Sequence, residues 1–341
     1  MKELKPFLVD VPVRVNIWIR PNCQRKQFEV LKQARPSIMF LISDGGRNEK
    51  EWQAIRENRE IFENEIDWEC TVYKVYEEEN RGLYTMSRKG AELIWSTVDR
   101  CIFLEDDQIP SVSFFKYCAE LLEKYKNDMR VHTICAMNYA GEWNKTDADY
   151  FFSERGSIWG QATWKRTFEQ RDTELEYAKS SYVMGLLKDE LKDNKGFLKT
   201  VEGYAQNPTY GGHVPGGEFF GRFAVHSQNQ LYIIPKYNMM SNIGCTEDAA
   251  HASEYQLLPK ALRNIFNMKT YEYDFPLKHP KYMIADKKYK DYEEKVLGRN
   301  RPIQAFFRRI EGIFLALKYK GLSGILKKVK RNIGKRKKIE T

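Results

Sequence analysis

The first half of the chain alternates short apolar, β-branched runs with amphipathic helical patterns, and this alternation limits its possible folds more than any other feature. Strands are predicted over 11–19, 37–43, 70–76, 100–104 and 131–137, and helices over 24–34, 49–65, 83–98 and 114–125. Repeated β-α order of this kind predicts a mostly parallel sheet covered by helices. Such sheets bind ligands beyond the carboxyl ends of their strands, so functional residues are expected directly after strands.

The second half is less regular and richer in Trp, Gly and Pro. A helix is predicted over 178–193, a loop with five glycines over 211–221, and a further strand over 231–235. Past Arg299 the chain becomes helical and basic. We therefore expect one large α/β domain over 1–260, an irregular or helical extension over 261–300, and a basic amphipathic helix over 301–341.

The charge of the chain is unevenly placed. Its formal net charge is +9, yet the segment from Lys318 to Lys338 alone holds ten Lys and Arg residues and no acid. The remainder is near neutral, which argues against a nucleic-acid-binding body. No G-x-G-x-x-G or Walker A sequence follows a predicted strand, so dinucleotide-enzyme and P-loop interpretations lose their main support.

Several features bear on the compartment in which the protein works. Six scattered cysteines without metal-site spacing predict buried free thiols in a reducing environment. The N-terminus has no long apolar run typical of a signal peptide, and no stretch approaches the ~20 apolar residues of a membrane span. We expect a cytoplasmic protein, which could also be peripheral on the inner face of a membrane.

One predicted strand ends abruptly in acids: Ile102-Phe103-Leu104 is followed by Glu105, Asp106 and Asp107. Adjacent carboxylates repel one another unless a positive group lies among them. Mg²⁺ and Mn²⁺ prefer one or two carboxylates together with phosphate oxygens, so a nucleoside diphosphate would complete the shell. The alternative is a solvated acidic turn or helix start. Because the three acids stand at the end of an apolar strand, a ligand site is the favoured interpretation.

Four motifs carry a resemblance to a known family. They are Asn80-Arg81-Gly82-Leu83, the strand ending in Glu105-Asp106-Asp107 with Ile109-Pro110 and Phe114 to Cys118 after it, Ser157 to Trp164, and Ile234 to His251 with Asn242-Ile243-Gly244 inside it. Together they resemble GT-A glycosyltransferases over about residues 11–255. The chain is similar to bacterial sugar transferases of surface-polysaccharide pathways, and more distantly to the N-acetylglucosaminyltransferase I family. The resemblance implies a GT-A fold, Rossmann-like, with a mostly parallel central sheet flanked by helices.

The resemblance also implies roles around a divalent metal. Asp107 is the expected direct ligand of Mn²⁺ or Mg²⁺, with His251 completing the metal shell or touching the diphosphate. Asp106 contacts the metal and the donor, and Glu105 supports the sugar, the ribose or the local geometry. For His251 a purely structural role is the alternative.

Further roles are implied for the donor and the acceptor. Arg20 and Asp44 follow the first two strands, where similar enzymes hold the nucleobase, and Arg81 could pair with the diphosphate. Trp159, like Trp164, could line a sugar. Glu218 stands where the family carries a general base as Trp-Asp. The alternatives are turn chemistry for Asp44, core packing for the tryptophans, and an exposed surface position for Arg81 and Glu218.

We therefore expect a metal-dependent transfer of a sugar from a nucleotide-sugar, most simply a UDP-sugar, to a glycan or lipid-linked glycan acceptor. The expected stereochemical outcome is inversion, and the expected setting is surface polysaccharide or lipopolysaccharide synthesis. A sugar-phosphate nucleotidyltransferase is an alternative, although it would show a Gly-rich loop where this chain has Arg20-Pro21-Asn22. A non-catalytic, membrane-associated carbohydrate-binding protein is another.

The C-terminal segment has an apolar stripe at helical spacing: Ile303, Phe306, Phe307, Ile310, Phe314 and Leu317, continued after Gly321 by Leu322, Ile325, Leu326, Val329 and Ile333. Basic residues occupy the opposite face around Lys327 to Arg331. This pattern is typical of an interfacial helix on an anionic membrane surface. A helix packed on its own domain, with a solvated basic face, is the alternative.

Overall fold

The computed structural model describes residues 4–245 and 255–337, and within the last helix it describes side chains up to residue 321. Contacts divide the chain into two compact units, each built from three segments. The first comprises Met1–Arg171, Gly221–Gly244 and Asn267–Lys290, and the second comprises Asp172–Phe220, Cys245–Phe266 and Asp291–Thr341. The domain boundaries expected at residues 260 and 300 stay a prediction.

The described residues form ten strands: β1 (Val9–Ile17), β2 (Pro36–Ser43), β3 (Thr71–Tyr76), β4 (Arg100–Leu104), β5 (Gln108–Pro110), β6 (Val131–Cys135), β7 (Tyr150–Ser153), β8 (Gln161–Trp164), β9 (Leu231–Pro235) and β10 (Met240–Asn242). Eight of them form one sheet in the order β3-β2-β1-β4-β8-β6-β9-β7, and β5 pairs with β10 separately. In the large sheet only β7 and β8 run against the other strands. The predicted α/β class with a mostly parallel central sheet is confirmed.

The helices follow the strands as the β-α alternation predicts. They are α1 (Pro21–Ala34), α2 (Glu49–Asn64), α3 (Leu83–Thr97), α4 (Ser113–Lys124), α5 (Lys165–Glu169), α6 (Ser181–Glu190), α7 (Lys195–Gln206), α8 (Gly217–Ser227), α9 (Lys260–Arg263), α10 (Lys287–Leu297) and α11 (Pro302–Lys337). The C-terminal helix is therefore present. At Gly321 its backbone leaves helical geometry, with φ 62° and ψ 179°, so α11 consists of two helical stretches.

Burial explains why the first strands are so easily recognised. Met39, Phe40 and Leu41 of β2 follow one another and are all fully buried. Because successive side chains of a strand point to opposite faces, both faces of the sheet are covered at this strand. Val11, Val13 and Val15 of β1 are fully buried as well. The continuous apolar runs in the sequence reflect this double burial.

The structure corrects the predicted loop over 211–221. A short 3₁₀ helix covers Tyr210–Gly212, and α8 begins at Gly217, so part of this glycine-rich stretch is helical. Glycine content predicted a loop, yet Glu218 to Phe223 give the segment buried apolar residues at helical spacing, including Phe219, Phe220 and Phe223.

Two further findings concern the cysteines and the length of the helices. No disulfide joins the six cysteines, all of which lie within the described ranges, and Cys23, Cys101, Cys118 and Cys135 are buried. Among the helices described, none joins the length and the apolar character that crossing a bilayer requires.

Candidate functional site

A cavity in the first unit lies at the carboxyl ends of its central strands. In the sheet, β1 lies between β2 and β4, so the order of connections reverses at β1 and β4. Open α/β sheets bind ligands at such a reversal. The cavity has a volume of about 360 Å³, and its lining comes from the ends of β1, β2 and β4 and the start of α3, including Arg14, Asn16, Trp18, Asp44, Asn80, Leu83, Glu105 and Asp106.

An arginine bridges the acids that follow β4. Arg20 lies at the start of α1, and its Nη1 donates to Asp106 Oδ1 at 2.8 Å and to Asp107 Oδ2 at 3.1 Å. Burial raises the pKa of Asp106 to about 7, while the Arg20 charge acts in the opposite direction. Burial likewise raises the pKa of Asp107. Two of the three predicted acids thus converge on one positive group, and that group is the Arg20 predicted for the nucleobase.

The donor set of this cluster fits a divalent cation that also binds a ligand. Asp106 is 7% exposed, and its Oδ2 has no hydrogen-bond partner among the described residues. Nowhere in the described ranges do three or more His, Cys, Asp or Glu side chains form a metal cage. Two carboxylates completed by phosphate oxygens and water suit Mg²⁺ or Mn²⁺. His251, predicted to complete the metal shell, lies outside the described residues.

A segment distant in sequence packs against Asp107. Asn242 Nδ2 donates to Asp107 Oδ1 at 3.2 Å, and the backbone N–H of Ile243 donates to the Asp107 carbonyl at 2.9 Å. A Cβ atom on Gly244 would lie 2.1 Å from Asp107 Oδ2, so only glycine allows this approach. The pairing of β10 with β5 brings the Asn-Ile-Gly motif to the acids.

Buried amides fix the turn that carries the acids. Gln27 of α1 is fully buried, and its Nε2 donates to the carbonyls of Glu105 and Gln108, both at 2.7 Å. Gln108 Oε1 accepts from the backbone N–H of Glu105 at 3.1 Å, and Asn16 Nδ2 donates to the Glu105 carboxylate. None of these three amides was predicted, and only Asn16, which interrupts the apolar run of β1, carried a signal in the sequence.

Asp44 clamps a loop to the end of β2. Its Oδ1 accepts from the N–H groups of Gly45 and Arg81 at 2.9 and 2.8 Å. Its Oδ2 accepts from Asn80 Nδ2 at 3.1 Å and from the Gly82 N–H at 2.8 Å. A carboxylate has about four acceptor positions, so these bonds favour the turn-chemistry alternative. A nucleobase contact for Asp44 stays a prediction.

Arg81 is paired within its own loop. Its Nε lies 3.2 Å from Glu77 Oε2, and its Nη1 lies 3.1 Å from Glu79 Oε2. A diphosphate would have to compete with these two glutamates for the guanidinium. The predicted diphosphate contact therefore stays a prediction.

A second arginine, which the sequence analysis missed, lines the cavity. Arg14 of β1 is 8% exposed, its Nε has no hydrogen-bond partner within the described ranges, and it forms no ion pair there. Its guanidinium lies 5.8 Å from the centre of the Phe103 ring, and burial lowers its pKa. A buried arginine without a carboxylate partner is costly. An arginine within an apolar strand was the signal that could have revealed it.

The remaining predicted residues take varied positions. Trp164 is buried, and its Nε1 donates to the Leu122 carbonyl at 3.1 Å, which is core packing. Trp159 is half-buried and precedes β8, which pairs antiparallel with β4. It therefore lies towards the end of β4 that carries the acids. Glu218 belongs to the second unit, is exposed, and pairs with Arg299 at 3.7 Å. Its role as a base stays a prediction.

Comparisons with known proteins give weak likenesses. Neither a scan against protein-family models nor a search of curated proteins found a match. Among solved structures, a mannosyltransferase from Pyrobaculum calidifontis in complex with GDP-Man and Mn²⁺ is 12% identical, with a TM-score of 0.33, over 48% of each chain. The chain thus spans about half the length of that protein.

Two further solved structures are similar to this chain to about the same extent. Mouse xyloside xylosyltransferase 1 is 14% identical over 66% of this chain and 84% of its own, with a TM-score of 0.35. A UDP-glucose pyrophosphorylase complexed with UDP-glucose is 14% identical over 48% of this chain and 79% of its own, with a TM-score of 0.29. Likenesses of this strength do not establish a family.

Proposed function

We propose that this chain is a metal-dependent GT-A glycosyltransferase that transfers a sugar from a nucleotide-sugar to a carbohydrate acceptor. One observation carries the proposal: Glu105 and Asp106, the first two of the acids that follow β4, line a cavity where the strand order reverses, and the buried Oδ2 of Asp106 has no hydrogen-bond partner among the described residues. The sequence motifs that resemble GT-A enzymes include these same acids.

The donor is proposed to bind in this cavity. Asp107, with Asp106 beside it, would hold Mn²⁺ or Mg²⁺, which when bound neutralises charge developing on the departing diphosphate. The Arg20 guanidinium, already between these carboxylates, suits phosphate oxygens. Arg14, which forms no ion pair within the described ranges, offers a positive group in this cavity for a carbonyl or anionic group of the donor. A UDP-sugar is the donor we propose to test first.

The proposed chemistry is a direct displacement with inversion. Glu218 would accept the proton of the acceptor hydroxyl. The hydroxyl oxygen bonds to the anomeric carbon, while the bond from that carbon to the diphosphate breaks. The acceptor is proposed to be a glycan or lipid-linked glycan of a surface polysaccharide or lipopolysaccharide, reached from the cytoplasmic side.

Local structure disfavours the nucleotidyltransferase alternative. Only Trp18, Ile19 and Arg20 separate the end of β1 from the start of α1, and Pro21 is the first residue of that helix. A glycine-rich phosphate loop has no room at this point. A non-catalytic carbohydrate-binding protein would not need a partnerless buried carboxylate oxygen beside an arginine.

A release assay for nucleoside diphosphate tests the proposal across UDP-, GDP- and dTDP-sugars, with Mn²⁺ or Mg²⁺ and a glycan acceptor panel. Asp107→Ala is expected to abolish turnover, and Glu218→Gln to lower it by about 10²-fold or more with donor binding retained. Asp67→Asn, which changes a half-buried acid paired with Lys5, is the matched control. Calorimetry that finds no metal-dependent donor binding would reject the enzyme, whereas an active Glu218→Gln would reject only the base.

A further inference from the structure

The first helical stretch of α11 exposes a continuous apolar face. We use the term apolar face for Ile303, Phe306, Phe307, Ile310, Phe314 and Leu317, whose exposed fractions range from 40% to 67%. At about 100° of rotation per residue, these six side chains fall within an arc of roughly 100°. Scattered surface hydrophobics are ordinary, but six on one side of one helix form a patch that marks an interaction site.

The opposite side of the same helix attaches it to the second unit. Leu315 is 8% exposed. Arg308 Nη2 donates to the Lys295 carbonyl at 2.7 Å, and Glu311 Oε1 accepts from the Lys260 N–H at 2.8 Å. By the same helical rotation, Leu315 and Arg308 project away from the apolar face, and Glu311 lies between them and its edge. The helix is thus held by its other side, and packing against the described residues of the unit leaves the apolar face uncovered.

The charges around the apolar face select its occupant. Arg309 and Lys320 flank one edge, Lys318 flanks the other, and all three are exposed. The one acid near these edges, Glu311 beside Lys318, accepts from the Lys260 N–H. Ten Lys and Arg residues stand between Lys318 and Lys338 without an acid. A second copy of the chain would bring an equally basic segment against this one, which repulsion opposes. An apolar stripe edged by cations instead complements anionic headgroups above acyl chains.

We propose that the apolar face of α11 docks onto an anionic lipid bilayer. From Ile303 to Leu317 the helix is about 21 Å long at 1.5 Å per residue, which is short of the ~30 Å hydrocarbon core. The helix therefore lies in the plane of the interface, with Arg309, Lys318 and Lys320 reaching the headgroups. This proposal is independent of the sugar-transfer activity.

Vesicle flotation of the full chain tests the proposal. Vesicles of phosphatidylcholine alone are compared with vesicles that also contain phosphatidylglycerol, at low and high salt. The native chain is expected to float with the anionic vesicles at least tenfold more than with the neutral ones, and high salt should weaken the binding. Phe307→Ser with Phe314→Ser should lower binding about tenfold or more, and so should Arg309→Gln with Lys318→Gln and Lys320→Gln.

The controls keep the test decisive. Tyr182→Ser removes a side chain that is 73% exposed on α6 and should leave binding unchanged. The single change Ile310→Gln also alters the apolar face. Its vesicle binding is measured together with its thermal unfolding midpoint, so that the test does not depend on whether the double variant folds. The proposal is overturned if the native chain floats with neither vesicle or if the double variant floats as well as the native chain. If the native chain forms a dimer without lipid, and Phe307→Ser with Phe314→Ser dissociates that dimer, the membrane proposal is overturned in favour of a second copy.

Discussion

Arg20 occupies the position between two carboxylates where a divalent cation is proposed to bind. One nitrogen of its guanidinium contacts both Asp106 and Asp107. A metal ion would share these carboxylates with a fixed positive charge, and like charges a few ångströms apart repel each other even at high effective dielectric. Arg20 is therefore expected to oppose metal binding in the ligand-free chain and to favour the diphosphate when it arrives.

Arg20→Gln is accordingly expected to bind Mn²⁺ more tightly in the absence of donor, by about tenfold, which corresponds to ~1.4 kcal/mol. The variant should bind nucleoside diphosphate more weakly. Titration of free Mn²⁺ by electron paramagnetic resonance at pH 8 measures the first effect without any activity. Arg47→Gln removes a cavity-lining charge paired with Glu51 and should change little. Unchanged or weaker Mn²⁺ binding by Arg20→Gln would contradict this account.

At the scale of elements, the loop between β3 and α3 depends on a carboxylate from β2. Asp44 accepts the N–H groups of Arg81 and Gly82, and Gly82 then takes φ 81° as the residue before α3. Asp44→Asn replaces one acceptor by an NH₂ group and leaves a partly buried N–H without a partner. The expected loss in the free energy of unfolding is about 2 kcal/mol.

Native-state hydrogen exchange should show the same change locally, with faster exchange at the amides of Arg81 and Gly82. Asp10→Asn is the matched control, because Asp10 accepts from the Ser37 hydroxyl at an exposed position. A stability loss below ~0.5 kcal/mol with unchanged exchange would show that the loop does not depend on Asp44.

Local periodicity predicted the elements that are buried on both faces and followed by helices. β4, from Arg100 to Leu104, and β9, from Leu231 to Pro235, have the predicted bounds. β7 and β8 were missed because each has only four residues, which is too short for a pattern to emerge. The insertion of β8 between β4 and β6 depends on pairing between distant segments, and no local signal encodes that.

The candidate site also has features that could be predicted from local sequence and features that could not. The strand that ends in acids could be predicted, because apolar residues followed by carboxylates are visible in one stretch. The contact of Asn242 with Asp107 joins residues 135 positions apart, so only the fold reveals it. The Arg20 bridge was missed for another reason: it depends on the three-residue turn from β1 into α1, which sets where the guanidinium reaches.

At the scale of the whole molecule, the first unit is completed by chain that returns late. Within residues 267–290, Glu272 accepts from the N–H groups of Val112 and Ser113 at 3.0 and 2.7 Å and so caps the start of α4. Asp286 Oδ2 accepts from Trp143 Nε1 at 2.7 Å beside the buried Tyr289. Residues far beyond the predicted strands therefore contribute to the stability of the sheet unit.

The stability of the whole fold should fall in mild acid because of one buried histidine. His132 of β6 is 6% exposed, its Nδ1 lies 2.7 Å from Thr133 Oγ1, and its Nε2 has no partner among the described residues. Burial, with Arg171 and Arg166 nearby, lowers its pKa to about 3, against ~6.5 in an unfolded chain. Between these values the unfolded state binds a proton that the folded state does not, so stability decreases as pH falls.

This histidine should contribute a loss of about 1.4 kcal/mol in the free energy of unfolding for each pH unit below ~6. Urea unfolding of the native chain at pH 7, 6, 5 and 4, compared with His132→Phe, isolates the contribution. His132→Phe keeps a ring against Tyr232, where the present rings lie 5.6 Å apart. The stability of His132→Phe is expected to be lower at pH 7, because the contact with the Thr133 hydroxyl is lost. Its free energy of unfolding should also change less with pH, since one proton fewer is taken up on unfolding. His213→Gln, at an exposed position, should keep the native pH dependence. Equal slopes for the native chain and His132→Phe would mean that His132 becomes protonated within the fold.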